Sequence, residues 1–337
     1  MSKRGRVYIL GAGASYISPV PEAKLPLQKG FFSCIAASNF VPQKMVLESF
    51  MQQPFKQWLM NKGYGEPYNS NSRLTNDLDI NLEEFYSEIE GDAEIIRDEK
   101  IEILKILDRI IFESIVFPIT ALRNHPDKSC PNHRSFVKLI KPGDTVINFN
   151  YDCLADDALF HFSPYWHPVT GHGFIFDDLF GGALPEKAKI FQSRVLLLKP
   201  HGSVTFRYKI TEDAKTLIRL VGLTKGIQPL PMTMADGWEP LIVAPSTSKL
   251  GHSEYMKNIL SLSKRKIQRA KNVVVIGYSF PANDIHIRKI LKGFEGDLTI
   301  VNPAWDSSDY KARLKNIGFT DYKGFKGFEE FLQDKTI

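Results

Sequence analysis

The chain is poor in cysteine. Its 337 residues contain three, Cys34, Cys130 and Cys153, too far apart to make a C-x-x-C pair, so neither a disulfide framework nor a zinc ribbon is readable and buried free thiols are expected. Long hydrophobic runs are also lacking. Behind the basic segment Met1–Arg6 the apolar stretch Val7–Leu10 stops at glycine, too short for a signal peptide's central region or a membrane span. A cytoplasmic protein without membrane contact is the expectation. No charge of one sign dominates: 43 Lys and Arg face 38 Asp and Glu, a formal net charge of +5. Five of the cations gather in Ser263–Lys271 (SKRKIQRAK), which either touches phosphate backbones or forms a solvated helix face. No recognised nucleic-acid motif accompanies them, which argues against direct nucleic-acid binding.

What is present is core material, with 43% hydrophobic and 24% charged residues and no repeat or low-complexity tract. The run Arg6–Leu10 (RVYIL) reads as a buried strand and ends at Gly11-Ala12-Gly13-Ala14-Ser15, a phosphate-binding kind of turn. Helical patterns follow over Gln43–Asn61, Asn81–Glu90 and Ala93–Arg123, with Gly63–Thr75 as a loop. In the third helix, Ile103, Leu104, Leu107, Ile110 and Ile111 make one apolar stripe. Strand patterns resume at Thr145–Phe149, Val195–Lys199, Leu241–Ala244, Asn272–Gly277 and Leu298–Val301, with helices over Ser253–Arg269 and Asp284–Leu291.

Alternating strands and helices imply an α/β fold, a doubly wound, Rossmann-type parallel sheet with a helical insertion after the first strand. The sheet domain is expected over 1–30 and 136–337, and the helical subdomain over 31–135. Residues Ser163–Lys189, crowded with Pro, Gly, His and aromatics, form either a covering loop or a small subdomain.

Three short segments at strand ends carry chemistry. Gly11-Ala12-Gly13 lets backbone N–H groups approach a pyrophosphate, but a dehydrogenase fingerprint would need a third glycine near 16, where Tyr16 stands, and an acidic residue about twenty positions on. Asn148-Phe149-Asn150-Tyr151-Asp152 offers an amide and a carboxylate to the cleft, although Asp152 could instead cap the helix that begins at Cys153. Lys199-Pro200-His201-Gly202-Ser203 places a histidine at the same sheet edge, where it is either packed or a catalytic base.

Taken in order, Gly11-Ala12-Gly13-Ala14-Ser15, Asn150-Tyr151-Asp152, His201-Gly202-Ser203, Gly277-Tyr278-Ser279 and Val301-Asn302 resemble the sirtuin motif series. On that resemblance Gly11, Ala12, Gly13 and Ser15 lie along the pyrophosphate of NAD. Asn150 holds the nicotinamide ribose or a water, Asp152 binds the carboxamide and His201 is the base on the ribose hydroxyls. Gly277 and Ser279 contact phosphate or adenosine, and Asn302 the adenosine ribose.

Two departures matter. Ser18-Pro19-Val20-Pro21-Glu22-Ala23 stands where protein-deacylating sirtuins carry a Gly-Ile-Pro-Asp-Phe-Arg segment, and the paired cysteines of their zinc module are lacking. The chain, especially Ile276–Pro281 followed by Asp284, is thereby similar to sirtuin-like proteins of bacterial anti-phage systems. The resemblance implies an NAD+ hydrolase without metal, with NAD+ as substrate and control by a homo-oligomer or a partner defence protein. A deacylase or ADP-ribosyltransferase, and a catalytically silent NAD or ADP-ribose sensor, are the alternatives.

Overall fold

The computed structural model describes residues 5–15, 25, 31–37, 48–65, 82–124, 130–180, 192–222, 237–243, 253–281 and 284–334. Expectations for Tyr16, for Ser18–Ala23, for most of the loop Gly63–Thr75 and for 181–189 lie outside them.

Six strands form a parallel sheet: β1 (Val7–Leu10), β2 (Thr145–Asn148), β4 (Leu196–Leu198), β8 (Asn272–Ile276), β9 (Asp297–Val301) and β10 (Lys323–Phe325). Their order is β10-β9-β8-β1-β2-β4, every pair parallel. The doubly wound expectation is met. In β1, Val7 and Ile9 enter one apolar cluster with Val273 and Val275, while Tyr8 and Leu10 enter another with Val146 and Val274. A strand buried on both faces needs apolar residues at every position, which is why this one reads as a continuous hydrophobic run.

From β1 the chain winds outward to β2 and β4, then returns to the other side of β1 for β8 and winds outward through β9 and β10. The order therefore reverses between β1 and β8. The crevice outside the carboxyl ends of those two strands is where open α/β sheets bind ligands.

A second, four-stranded sheet corrects the sequence reading. It comprises β3 (Asp178–Phe180), β5 (Gly202–Ile210), β6 (Thr216–Val221) and β7 (Glu239–Ile242) in the order β3-β6-β5-β7, with β5 antiparallel to β6 and β7. The run expected at Leu241–Ala244 in the parallel sheet belongs here instead, and Ala244 is outside the described residues. The sequence conceals β5 because Gly202 through Tyr208 are all buried while Ser203, Thr205 and Arg207 are polar. Neither an alternating nor a continuous apolar pattern survives such a composition. The segment beginning at Ser163 contributes β3, so it is part of this sheet rather than a loop alone.

The helical insertion is built on Arg97–Asn124, a helix of 28 residues, against which Phe55–Asn61 and Leu82–Gly91 pack. Its stripe, Ile103, Leu107, Ile110 and Ile111, is fully buried among Phe32, Phe50, Phe55 and Phe85. That cluster continues into Cys153, Leu154, Val204 and Ile242, so the insertion shares its core with the sheet region. Cys130 and Cys153 are buried; Cys34, expected to be so, is half-buried. The cations Lys264, Arg265 and Arg269 are exposed on the helix Ser253–Arg269 while Ser263 and Ile267 face inward, the solvated-face arrangement. No helix among the described residues is long and apolar enough to cross a membrane.

Candidate active site

The glycine turn at the end of β1 is fixed from the neighbouring strand. Gly11 N–H donates to the Ile276 carbonyl and Gly13 N–H to the Gly277 carbonyl, each at 2.9 Å. A Cβ on Gly11 would stand 2.6 Å from the Tyr278 Cα, and one on Gly277, whose φ is +63°, 2.2 Å from the Ala14 nitrogen. Two glycine turns thus interlock at the sheet's switch point, where side chains would hold them apart. Gly11 and Gly13 allow this close approach, and their own N–H groups are consumed by it.

Asn150, at the end of β2, closes the turn from the other side. Its side-chain nitrogen donates to the Gly11 carbonyl and to the Ser15 hydroxyl, both at 2.9 Å. A carbonyl only accepts, so the amide orientation is set, and Oδ1 is the group left to accept from a ligand or water. Asp152, one residue before Cys153, the N-cap of the helix Leu154–Phe162, accepts the Leu154 N–H at 2.9 Å. Asp152 also lines the cavity.

His201 sits where the chain leaves the parallel sheet and enters the second one. The next residue, Gly202, has φ +78°, and a Cβ there would lie 1.9 Å from the Leu241 carbonyl oxygen. The turn that aims His201 therefore requires glycine. The imidazole is 3% exposed, with the Phe149 ring edge-on at 4.9 Å. Beneath it, the buried Lys199 ammonium donates to the Asp152 carbonyl and to Asp156 Oδ2, the latter at 3.1 Å. Lys199 so ties the segment carrying His201 to the segment carrying Asn150 and Asp152. Burial pushes the Asp156 carboxyl upward, with the Lys199 charge opposing. Burial, then the same ammonium, pushes the neighbouring His172 down to about 3.

All ten residues singled out from sequence, Gly11, Ala12, Gly13, Ser15, Asn150, Asp152, His201, Gly277, Ser279 and Asn302, line one cavity of about 440 Å³. A second cavity of about 320 Å³ shares Gly13, Gly277 and Asn302 with the first and runs beside Phe136 and Phe328. Asn302 donates to the Tyr278 carbonyl at 3.2 Å and accepts the Ala304 N–H at 2.9 Å.

Sequence reading missed Arg313, which reaches the first cavity from the helix Ser308–Asn316 and donates to the Ser279 carbonyl at 3.1 Å. It also missed the apolar wall of Phe31, Leu82 and Ile115 that the insertion adds. No local motif marks either, because both come from elements far away in sequence.

No family model matches the chain, and no curated protein matches it. Among solved structures it is similar to a triple mutant of Sir2 homologues complexed with 2'-O-acetyl ADP ribose, at 16% identity and TM-score 0.44, covering 100% of this chain and 96% of that one. It is similar to a single-site mutant of a Sir2 homologue complexed with ADP ribose, at 16% identity and TM-score 0.44, covering 98% and 90%. A Sir2 homolog–NAD complex matches at 15% identity and TM-score 0.42, covering 98% and 87%.

Proposed function

We propose that the chain is an NAD+ glycohydrolase, cleaving NAD+ with water to nicotinamide, ADP-ribose and a proton. The observation that carries this reading is the convergence of Asn150 and His201 on one cavity lined by the interlocked glycine turns. Such a lining suits a dinucleotide, with the nicotinamide ribose beside Asn150 and His201, the pyrophosphate beside Ala12, Ser15 and Arg313, and the adenosine beside Asn302. Asp152 accepts from the carboxamide.

Nicotinamide in NAD+ is already cationic, so the glycosidic bond breaks with its electron pair going to the ring nitrogen and leaves an oxocarbenium-like ribose. The demand is for charge stabilisation and a positioned nucleophile rather than a strong acid. Asn150 Oδ1 accepts a hydrogen bond from the attacking water, and His201 in its neutral form accepts one from a ribose hydroxyl, raising electron density on the sugar. The apolar wall excludes bulk water from the reacting carbon.

Unrestrained hydrolysis of NAD+ would kill the host, which fits an effector of anti-phage defence held in check by homo-oligomer assembly or a partner protein. The same wall of Phe31, Leu82 and Ile115 also suits an acyl chain, so NAD-dependent deacylation is the second reading. Incubating size-fractionated protein with NAD+, with and without an acyl-lysine peptide, tests both. Nicotinamide and ADP-ribose formed without peptide support hydrolysis, peptide-dependent release supports the second reading, and tight NAD+ binding without nicotinamide release supports a sensor.

A further inference from the structure

Beside His201 lie two groups that the proposed chemistry does not use. Asp284 caps the helix Ile285–Leu291, its Oδ1 accepting the N–H groups of His286 at 3.0 Å and Ile287 at 3.5 Å, and its Oδ2 accepting from the Tyr278 hydroxyl. His201 Nε2 is 3.9 Å from Asp284 Oδ2, and His286 Nδ1 is 3.7 Å from Asp284 Oδ1. One donor atom from each of the three residues lies within 4.8 Å of the others. All three are buried, Asp284 and His286 completely.

Within this cluster His286 is left unsatisfied at both ring nitrogens, although a neutral imidazole presents one donor and one acceptor, and leaving such a group unsatisfied costs about 1–3 kcal/mol. Native interiors rarely leave this unanswered unless an ion or ordered water belongs there. We propose that His201, Asp284 and His286 form a binding site for a divalent first-row transition metal, zinc being the reference ion, and that the bound ion holds His201 out of catalysis.

Two imidazoles and one carboxylate are the donor set of borderline metals, whereas magnesium and calcium take oxygen ligands. Three protein ligands leave a fourth position for water. Zinc holds N and O donors at about 2.0–2.2 Å, which requires donor separations somewhat shorter than those present. The gap is within reach of modest rotations of the two imidazoles about their χ angles. One carboxylate leaves the loaded site with a net charge of +1. The ion would occupy the imidazole lone pair or fix its ring orientation, so the inhibitory half of the proposal rests on reading His201 as the base, while the site itself does not.

The full-length protein, stripped with a chelator and dialysed, is titrated with Co²⁺ for visible ligand-field bands and with Zn²⁺ against a chromophoric competitor. One ion per chain is expected, with intense bands of low coordination number. Zn²⁺ should lower NAD+ hydrolysis by about a hundredfold, the scale of losing a general base, reversibly on chelation. His286→Gln should lose the bands, the Zn²⁺-dependent rise in Tm and the inhibition, while hydrolysing NAD+ normally without metal. Absence of bands in the wild-type protein, or bands that persist unchanged in folded His286→Gln, overturns the site. Stoichiometric binding without inhibition overturns only the regulatory half. Should NAD+ hydrolysis be undetectable throughout, the wild-type Co²⁺ spectrum still decides the site, and should His286→Gln not fold, Asp284→Asn takes its place in the same titration.

Discussion

The side-chain amide of Asn150 donates to the backbone carbonyl of Gly11 at 2.9 Å, joining two strand ends 139 positions apart. One side chain thus shapes the turn and presents an acceptor to the cavity. Asn150→Ala removes both functions and should lower turnover by about 10²–10³-fold, with a stability loss of about 0.5–1.5 kcal/mol for each lost hydrogen bond, to the Ser15 hydroxyl and to the Gly11 carbonyl, which keeps the Ala14 N–H. Asn150→Asp sets carboxylate oxygen against carbonyl oxygen and should be less stable than Asn150→Ala. Urea denaturation of the two variants checks the order.

Interlocking of the two turns leaves no room for a methyl group at Gly277, where a Cβ would sit 2.2 Å from the Ala14 nitrogen at a φ of +63°. Gly277→Ala should therefore weaken NAD+ binding by about tenfold or more, as strain of about 1–3 kcal/mol is relieved by separating the turns. Calorimetric titration with ADP-ribose measures it.

Arg313 is the cation of the first cavity that no sequence motif announced. A guanidinium lining the cavity should bind phosphate, so Arg313→Ala is expected to raise KM for NAD+ by about tenfold with little change in kcat. The deficit should shrink at high salt, where screening weakens the wild-type contact. Steady-state kinetics at two ionic strengths decide this.

The legibility of this molecule follows where its interactions are local. Four of the parallel strands, β1, β2, β8 and β9, are short, mostly apolar and closed by Gly or Asn, so they and the residues at their ends could be read directly. The helix Ser253–Arg269 was also plain, since its buried stripe repeats at the helical period. The second sheet was hidden because β5 buries Ser203, Thr205 and Arg207 along with its apolar residues, Arg207 bonding to backbone carbonyls and lying over the Phe112 ring. Such polar residues look like surface until their partners are known. Arg313 and His286 escaped for the related reason that tertiary contacts alone bring them to the site.

His172 makes the fold sensitive to acid at one buried position. Its imidazole is 1% exposed, hydrogen-bonded to the Leu197 carbonyl and pushed down to about 3 from 6.5 by burial and then by Lys199. The folded protein therefore binds this proton less readily than the unfolded chain. The stabilisation is complete above about pH 6.5 and is lost as pH falls towards 3, at up to about 1.4 kcal/mol per pH unit. His172→Gln keeps a donor for Leu197 but cannot titrate, so its stability should fall less steeply with acid. Denaturation midpoints at several pH values between 4 and 7 compare the two slopes.

The most direct test of the account is the rate of nicotinamide and ADP-ribose release from NAD+ by size-fractionated wild-type protein beside folded His201→Ala. The account predicts equimolar products from the former and a rate lower by about 10²–10⁴-fold from the latter. Equal rates from both proteins would contradict it, as would the absence of either product from every wild-type fraction.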